Sequence, residues 1–101
     1  MQFFRTRRLA KLIEKSDYFD AEWYLLQYPD VRDEGINPAL HYIKHGAKEG
    51  RNPGQDFNSY EYLLANPDVA IENINPLVHF IKFGRKENRM SPPESNKRKA
   101  Q

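Results

Sequence analysis

The sequence predicts an all-α fold: two tandem repeats of short helices, packed with an N-terminal amphipathic helix. First, one stretch occurs twice: residues 19–53 and 57–91 align without a gap, at an offset of 38 positions, and agree at 18 of 35 positions. Self-similarity at a fixed period indicates a repeat architecture in which each repeat is one supersecondary unit. Second, helix-start and helix-stop residues recur in step in the two repeats. Third, no stretch alternates apolar and polar residues as a half-buried strand does.

This pattern divides the chain into four predicted segments. Residues 1–16 form a basic amphipathic helix, residues 17–54 the first helical repeat and residues 55–91 the second. Residues 92–101 carry no apolar periodicity and are predicted to be a disordered basic tail. With 101 residues, the chain has room for one small domain.

The composition indicates the kind of core and excludes several chemistries. One Trp, six Tyr and six Phe supply large rings for a compact core. There is no Cys, which excludes disulfides, thiolate zinc sites and a cysteine nucleophile, and which fits a reducing compartment. No apolar run approaches the roughly 20 residues of a membrane span, and no signal-peptide pattern is present. These features predict a cytoplasmic location.

The charges are distributed unevenly along the chain. Residues 1–16 hold five Lys or Arg and one Glu, and residues 92–101 hold three basic side chains and one acidic one. Residues 17–91 hold eight basic and twelve acidic side chains, so the repeats are mildly acidic. Basic ends attract nucleic acid or an anionic membrane surface, such as the inner face of the membrane. The other interpretation, which we favour, is that basic termini keep a small domain soluble.

Two roles are open for the N-terminal segment. Leu9, Leu12 and Ile13 lie three and four positions apart, so they share one face of a helix. Basic side chains take much of the remaining surface, and a basic amphipathic helix of this kind can lie on a membrane. It can equally pack its apolar face on the first repeat. We favour this capping role, because the end of a repeat array needs a cap.

Within each repeat the sequence predicts two or three short helices. Asp20 and Asn58 are N-cap residue types that precede the first helix of each repeat. That helix cannot run smoothly through the proline at position 29 or 67, because the residue before a proline is pushed out of the α region. In the second repeat, Asn66 is therefore predicted to cap a new helix that begins at Pro67.

A further helix start recurs more clearly. In both repeats an Asn cap precedes a proline at the first helical position. The residues are Asn37 and Pro38 in the first repeat, and Asn75 and Pro76 in the second. We expect this helix to end at Gly46 and Gly84, because glycine best tolerates the left-handed conformation that commonly follows a helix. All six residues are assigned structural roles.

An acidic and a basic residue also recur at matched positions. They are Asp30 and Arg51 in the first repeat, and Asp68 and Arg89 in the second. A carboxylate at a helix start and an arginine at the end of the unit are suited to a bidentate bridge that closes the repeat. We favour this structural role over a binding role.

The recurring histidines are candidate binding residues. His41 and His79 could line a pocket, bind a ligand or take up a proton. The favoured alternative is a partly buried histidine bonded to neighbouring backbone. His41 and His45 are spaced as in metal-binding helices, but the second repeat has Phe83 at the later position and no other ligand type completes a site. The sequence therefore predicts no metal site.

The aromatic residues are candidates for a surface on which sugars or bases stack. Trp23 and Tyr42 are selected as candidate binding residues. For most of the aromatics, helical spacing and agreement between the repeats favour a core position instead. No Gly-rich phosphate loop, nucleophile elbow or catalytic triad signature occurs, so the sequence predicts neither an enzyme nor a cofactor.

The repeated residues resemble a known family. The first repeat carries F-D-x-x-W-Y-L-x-x-x-P-D-V, then G-x-N-P-x-x-H-Y, then H-G-x-x-E-G-R-x-P. This pattern resembles a short repeat of bacterial proteins, often found in tandem beside glycosyltransferase domains of surface-polysaccharide synthesis and in some large secreted proteins. The second repeat departs from the pattern at Glu61, Asn73, Asn88 and Ser91.

This resemblance implies a function. It implies a non-catalytic interaction module whose protein partner is a glycosyltransferase or another component of polysaccharide assembly. The alternative is a small nucleic-acid-binding protein that uses its basic ends.

Overall fold

The structure is a computed structural model that describes residues 2–90, with side chains from residue 5 onwards. The tail predicted at residues 92–101 lies outside the described residues. Within the described part the chain is mostly helical and forms no strand; an isolated bridge joins Gly54 to Phe57. The predicted all-α class is confirmed.

An N-terminal helix is followed by two sets of short helices. Helix α1 spans Gln2–Glu14. In each set the last α-helix continues into a wider π-helical turn, labelled π1 or π2. The first set comprises α2 Ala21–Gln27, α3 Pro29–Glu34, α4 Pro38–His41 and π1 Tyr42–Gly46. The second set comprises α5 Ser59–Ala65, α6 Pro67–Ile71, α7 Pro76–His79 and π2 Phe80–Gly84.

The two sets match position by position. Adding the offset of 38 to the bounds of the first set gives those of the second, except that α6 ends one residue earlier than α3. Pro38 and Pro76 both open the helix that leads into the π-helical turn. The same backbone therefore forms twice, as the recurring cap and proline residues predict.

Side-chain caps begin two helices in each repeat. Four side-chain oxygens accept a hydrogen bond from the backbone N–H three residues on, at 2.9–3.1 Å. The capping residues are Asp20, Asn37, Asn58 and Asn75. The helix start predicted at Asn66 and Pro67 is confirmed, but Asn66 makes no side-chain cap bond to α6. Its Nδ2 donates to the Tyr62 carbonyl and its Oδ1 accepts from Arg89 instead.

The left-handed backbone predicted for Gly46 and Gly84 is wrong. Each is the last residue of a π-helical turn, and neither has a positive φ. A tyrosine hydroxyl lies against each glycine, so an added Cβ would lie within 3.0 Å of the hydroxyl of Tyr24 or Tyr62. Glycine is needed here for space and not for backbone freedom.

The left-handed positions lie elsewhere in the repeat. Gly35 after α3 has a φ of 67°, and Gly50 after π1 has a φ of 79°. The equivalent residues of the second repeat are Asn73 and Asn88, both with a φ of 59°. Asparagine is among the side chains that best tolerate this conformation. These two departures from the family pattern therefore preserve both turns.

One apolar core runs through both repeats and α1. Its largest fully buried side chains are Tyr24, Tyr42 and Tyr62. Helix α1 contributes Ala10 and the fully buried Ile13, and burying such an aliphatic side chain contributes about 1.5–3 kcal/mol. Because α1 packs against α4, π1 and α7, it contacts both repeats. The expected packing on the first repeat is confirmed, and α1 also packs on the second repeat.

The two repeats meet through a pair of hydroxyl groups. The Tyr42 hydroxyl lies 2.7 Å from Ser59 Oγ, and Ser59 donates to the Arg51 carbonyl at 2.9 Å. At the equivalent positions the second repeat has Phe80 in place of Tyr42, and the first repeat has Ala21 in place of Ser59. The two hydroxyl groups are therefore present in the residues that meet at the junction and absent from their equivalents.

Candidate functional site

Each repeat contains a buried tyrosine–histidine pair. The Tyr24 hydroxyl lies 2.7 Å from Nδ1 of His41, and the Tyr62 hydroxyl lies 2.9 Å from Nδ1 of His79. Both histidines are 7% exposed. The pairs join α2 to α4 and α5 to α7. The backbone partner expected for these histidines is therefore wrong, because each is held by a side chain of another helix.

The surroundings of the first pair keep both of its members neutral. Burial raises the pKa of Tyr24, as it raises the pKa of Tyr62 to about 12 in the second repeat. Burial also lowers the pKa of His41, and the positive charge of Arg51 lowers this pKa further. The Tyr24 hydroxyl and Nδ1 of the neutral His41 ring share one hydrogen bond, in which the tautomer of the imidazole decides which group donates. A neutral, internally bonded ring is suited to joining helices.

The recurring acidic and basic residues form bidentate bridges. Arg51 donates to the two carboxylate oxygens of Asp30 at 3.0 and 2.8 Å. Arg89 donates to those of Asp68 at 3.1 and 2.9 Å. Hydrogen bonds from the arginine lower the pKa of each carboxyl group. Each bridge ties α3 or α6 to the turn that ends its repeat, so the structure brings together the pairs that the sequence matches.

The two arginines each pair with the glutamate two residues earlier, but they differ in one further contact. The Arg51 guanidinium lies over the ring of Tyr28, 4.7 Å from its centroid. The equivalent of Tyr28 in the second repeat is Asn66, whose Oδ1 accepts from Arg89 at 2.8 Å. A cation–π contact in one repeat thus takes the place of a hydrogen bond in the other. The arginine side chain is equally covered in both, at 22% and 23% exposure.

The four candidate binding residues do not converge on one site. His41 and His79 lie inside separate repeats. Tyr42 is fully buried at the junction, which does not fit the binding role predicted for it, because a ligand cannot reach the ring. Trp23 is partly buried, and its ring meets that of Tyr28 edge-on with centroids 6.2 Å apart.

The second histidine of the i, i+4 pair lies beside the first. The ring centroids of His41 and His45 are 5.8 Å apart, and His45 is exposed. Within residues 2–90 no group of three or more His, Cys, Asp or Glu side chains is placed to hold a metal ion. The structure therefore offers no third ligand to this pair in the part of the chain that it describes.

A cleft of about 290 Å³ opens between the two repeats. The first repeat lines it with residues of π1 and the following turn, including Ile43 and Lys48. The second repeat lines it with residues of α5, α6 and the turn before α7, including Tyr60, Leu63 and Ile74. Because both repeats contribute, the cleft exists only where they are packed together.

One polar atom of the cleft residues is buried without a partner. Asn75 uses Oδ1 to cap α7, accepting from the Val78 N–H at 3.1 Å. Its Nδ2 is buried and is the one such side-chain atom in residues 5–90 that lacks a hydrogen-bond partner. The equivalent Asn37 caps α4 in the same way but is exposed.

This cleft was not predicted from the sequence, although a signal is present in the alignment of the repeats. Tyr60 and Ala70 line the cleft, whereas the equivalent residues of the first repeat are Glu22 and Arg32. An aromatic ring and a small side chain replace two charged side chains. This surface of the second repeat therefore differs from the equivalent surface of the first. Which other residues face it depends on how the repeats pack, and the sequence does not state this.

The second repeat also leaves more apolar side chains on its surface. Tyr60 and Leu64 are 62% and 63% exposed on α5, and Ile71 is 83% exposed on α6. The equivalent residues of the first repeat are Glu22, Leu26 and Asp33. Of these only Leu26 is apolar, and it is 75% exposed.

Comparison with protein-family models, with curated proteins and with solved structures finds no match. Along residues 2–90 no helix is long and apolar enough to cross a membrane.

Proposed function

We propose that this chain is a non-catalytic interaction module of two packed helical repeats, with a protein partner in surface-polysaccharide biosynthesis. The observation that carries the proposal is a contrast between shared and changed residues. The tyrosine–histidine pair and the aspartate–arginine pair occur in both repeats. The two members of each pair bond to each other within one repeat. In the second repeat Tyr60 replaces Glu22 and so adds an exposed ring beside Leu64, whose equivalent Leu26 is exposed as well.

The exposed apolar side chains of α5 supply the contact surface. Tyr60 and Leu64 are four residues apart, so they are neighbours on one face of the helix. We call these two residues the α5 surface. Apolar side chains grouped on a surface commonly mark an interface with another protein, and tyrosine is enriched at the centre of such interfaces.

The glycosyltransferase context is supported by the resemblance of the repeats, and a location at the inner face of the membrane is supported by α1. Arg5, Arg8 and Lys11 are exposed on this helix, and Lys15 is exposed just after it. Its apolar side chain Ile13 is fully buried against the repeats. A membrane contact would therefore be electrostatic, at about 1 kcal/mol for each basic side chain, and would involve no insertion of this apolar face.

The test is direct binding to defined glycosyltransferase domains. Purified bacterial surface-polysaccharide glycosyltransferase domains are titrated with the chain by calorimetry. Leu64→Glu places a charge on the α5 surface and should weaken binding at least about tenfold. Leu26→Glu is the matched control, because it makes the same change at the equivalent exposed position. Equal loss from both variants, or a chain that binds none of the domains, would contradict the proposal.

A second candidate function is nucleic-acid binding, which the exposed basic side chains of α1 favour. Helix α1 cannot be trimmed for the test, because Ala10 and Ile13 are buried in the core. The variant is therefore Arg8→Glu combined with Lys11→Glu, titrated with a mixed oligonucleotide at two salt concentrations. Tight, sequence-dependent binding that this variant loses would favour the second candidate. Weak binding without sequence preference favours the interaction module.

A further inference from the structure

The two surfaces that meet at the junction of the repeats each have an equivalent at one end of the pair. On the second repeat, the equivalents of cleft residues of the first repeat include Ile81, Arg85 and Lys86, which we call the exit face. On the first repeat, the equivalents of cleft residues of the second repeat include Glu22, Leu25, Arg32, Ile36 and Pro38, which we call the entry face.

We propose that copies of this chain bind one another head to tail. The exit face of one copy packs on the entry face of the next, as the two repeats pack on each other inside one chain. A contact between two different faces leaves one of each free, so further copies can add until the assembly closes or stops growing. This contact goes beyond the glycosyltransferase partner and does not depend on it.

The entry face is more open than the same surface at the junction. Ser59 is fully buried at the junction, whereas its equivalent Ala21 is exposed. Ile74 is half-buried, whereas its equivalent Ile36 is 37% exposed. Helix α1 packs against α4, π1 and α7 and leaves these residues of the first repeat exposed. Among the described residues, the same backbone surface is thus covered in the second repeat and open in the first.

The charged residues of the two faces are available for contact. Arg85 is exposed, and its guanidinium lies over the rings of Tyr18 and Phe80, 5.4 and 5.5 Å from their centroids. Glu22 is exposed on α2. Within residues 5–90 neither side chain forms an ion pair. Each face therefore presents a charge without a partner of opposite sign in the described part of its own chain.

These two charges are complementary across the proposed contact. Inside the chain, Tyr60 and Ala47 line the same cleft from opposite sides. Glu22 stands at the position of Tyr60 on the entry face, and Arg85 stands at the position of Ala47 on the exit face. Repeating the junction between two copies therefore places a carboxylate opposite a guanidinium group. Such complementarity selects the partner and fixes the register of the contact.

The other charges of the faces do not oppose this arrangement. Arg32 of the entry face pairs with Asp33 at 3.2 Å, so its charge is compensated within its own chain. Lys86 of the exit face is the equivalent of Lys48, which lines the cleft at the junction. The packing of one repeat on another therefore already tolerates a lysine at this position.

The hydroxyl groups of the junction are absent from the two faces as a pair. Phe80 and Ala21 are the equivalents of Tyr42 and Ser59, whose hydroxyl oxygens lie 2.7 Å apart. Because both hydroxyls are absent, repeating the packing between copies leaves neither of them buried without a partner. The contact also lacks their hydrogen bond, and binding costs each copy its translational freedom. We therefore expect an association that is weaker than the packing inside the chain.

The test is self-association of the full chain at low salt. Sedimentation and amide NMR shifts are followed at concentrations up to about 1 mM, the range in which weak contacts become populated. We expect the sedimentation coefficient to rise with concentration. The amide shifts that change with it should include both the exit face and the entry face, and added salt should reverse them.

Charge reversals test the pairing of the faces. Glu22→Arg and Arg85→Glu each place like charges opposite each other and should each weaken association at least about threefold. An equimolar mixture of these two variants should associate about as strongly as the wild type, because every contact between unlike chains joins opposite charges. The matched controls are Glu72→Arg and Lys82→Glu, which make the same changes at exposed positions outside both faces. Circular dichroism checks that each variant is folded.

The inference is overturned if the sedimentation coefficient stays constant up to about 1 mM, or if the mixture associates no better than either variant alone. Concentration-dependent shifts confined to Tyr60 and Leu64 would also contradict it, because they would place the contact on the α5 surface. The glycosyltransferase titration is read separately, since Leu64→Glu and its control Leu26→Glu change neither face. A chain that self-associates as expected but binds no glycosyltransferase domain would leave this contact standing and the proposed function wrong.

Discussion

The first and second repeats have the same backbone, and their sequence differences follow what each repeat touches. The residues that face the interior of their own repeat agree, as the two tyrosine–histidine pairs show. Some of the residues that face the other repeat differ, although cleft residues such as Ile43 and Leu63 are the same in both repeats. Tyr42 and Ser59 meet across the junction, whereas their equivalents Phe80 and Ala21 do not carry hydroxyl groups. Comparing the repeats therefore identifies Tyr42 and Ser59 as residues adapted to the junction.

A second lesson is that the repeats preserve geometry more strictly than residue type. The turn after α3 has a left-handed residue in both, supplied by Gly35 in one and Asn73 in the other. The closing arginine is equally covered in both, by a tyrosine ring in one and by an asparagine oxygen in the other. A change between the repeats is thus not by itself evidence of a change in structure.

The largest expected effect tests whether the interiors of the two repeats are packed alike. Gly46→Ala and Gly84→Ala should each lower the free energy of unfolding by about 1–3 kcal/mol, because the added methyl group collides with a buried tyrosine hydroxyl. Urea unfolding measures both. A loss in one repeat that exceeds the other by more than about 2 kcal/mol would break the comparison.

The next effect is a dependence of stability on pH. Because burial lowers the pKa of His41, the unfolded chain takes up a proton near its ordinary pKa of about 6.5 while the folded chain does not. This contribution to stability is present above about pH 6.5 and is lost as the pH falls through that value towards the lower folded pKa. His41→Asn should flatten the pH profile of the free energy of unfolding between about pH 7 and 5. Wild-type and variant profiles of equal slope would contradict the neutral, buried histidine.

The smallest effect concerns the left-handed turn. Gly35→Asn copies the residue of the second repeat and should change the free energy of unfolding by less than about 0.5 kcal/mol. Gly35→Ala should lower it by about 1–2 kcal/mol, because alanine disfavours the φ of 67°. A Cβ at this position meets no atom within 4 Å, so any loss is conformational. Equal stability of the Asn and Ala variants would show that the turn does not require the left-handed conformation.

Local signals account for the features that the sequence predicts well. The all-α class follows from cap and proline residues such as Asn37 and Pro38, which act on their immediate neighbours. The bridge between Asp30 and Arg51 follows from matched positions in the two repeats, because a closing contact of the unit is needed twice.

Features that depend on which surfaces meet were predicted wrongly or not at all. The space required at Gly46 comes from a hydroxyl 22 positions away in the chain, and the partner of His41 lies on another helix. The contact of α1 with both repeats and the cleft beside Asn75 arise only when the two repeats are packed. Local helix and turn propensities carry no information about contacts between residues that are far apart in the chain.

The central claim is that the shared polar residues hold each repeat and the exposed α5 surface binds the partner. Asp68→Ala tests it most directly when the melting temperature and the affinity for the glycosyltransferase domain are measured on the same sample. We predict a lower melting temperature and an unchanged affinity, because Arg89 loses its bidentate acceptor and α6 loses the acid in its first turn. An unchanged melting temperature together with lost binding would contradict the account.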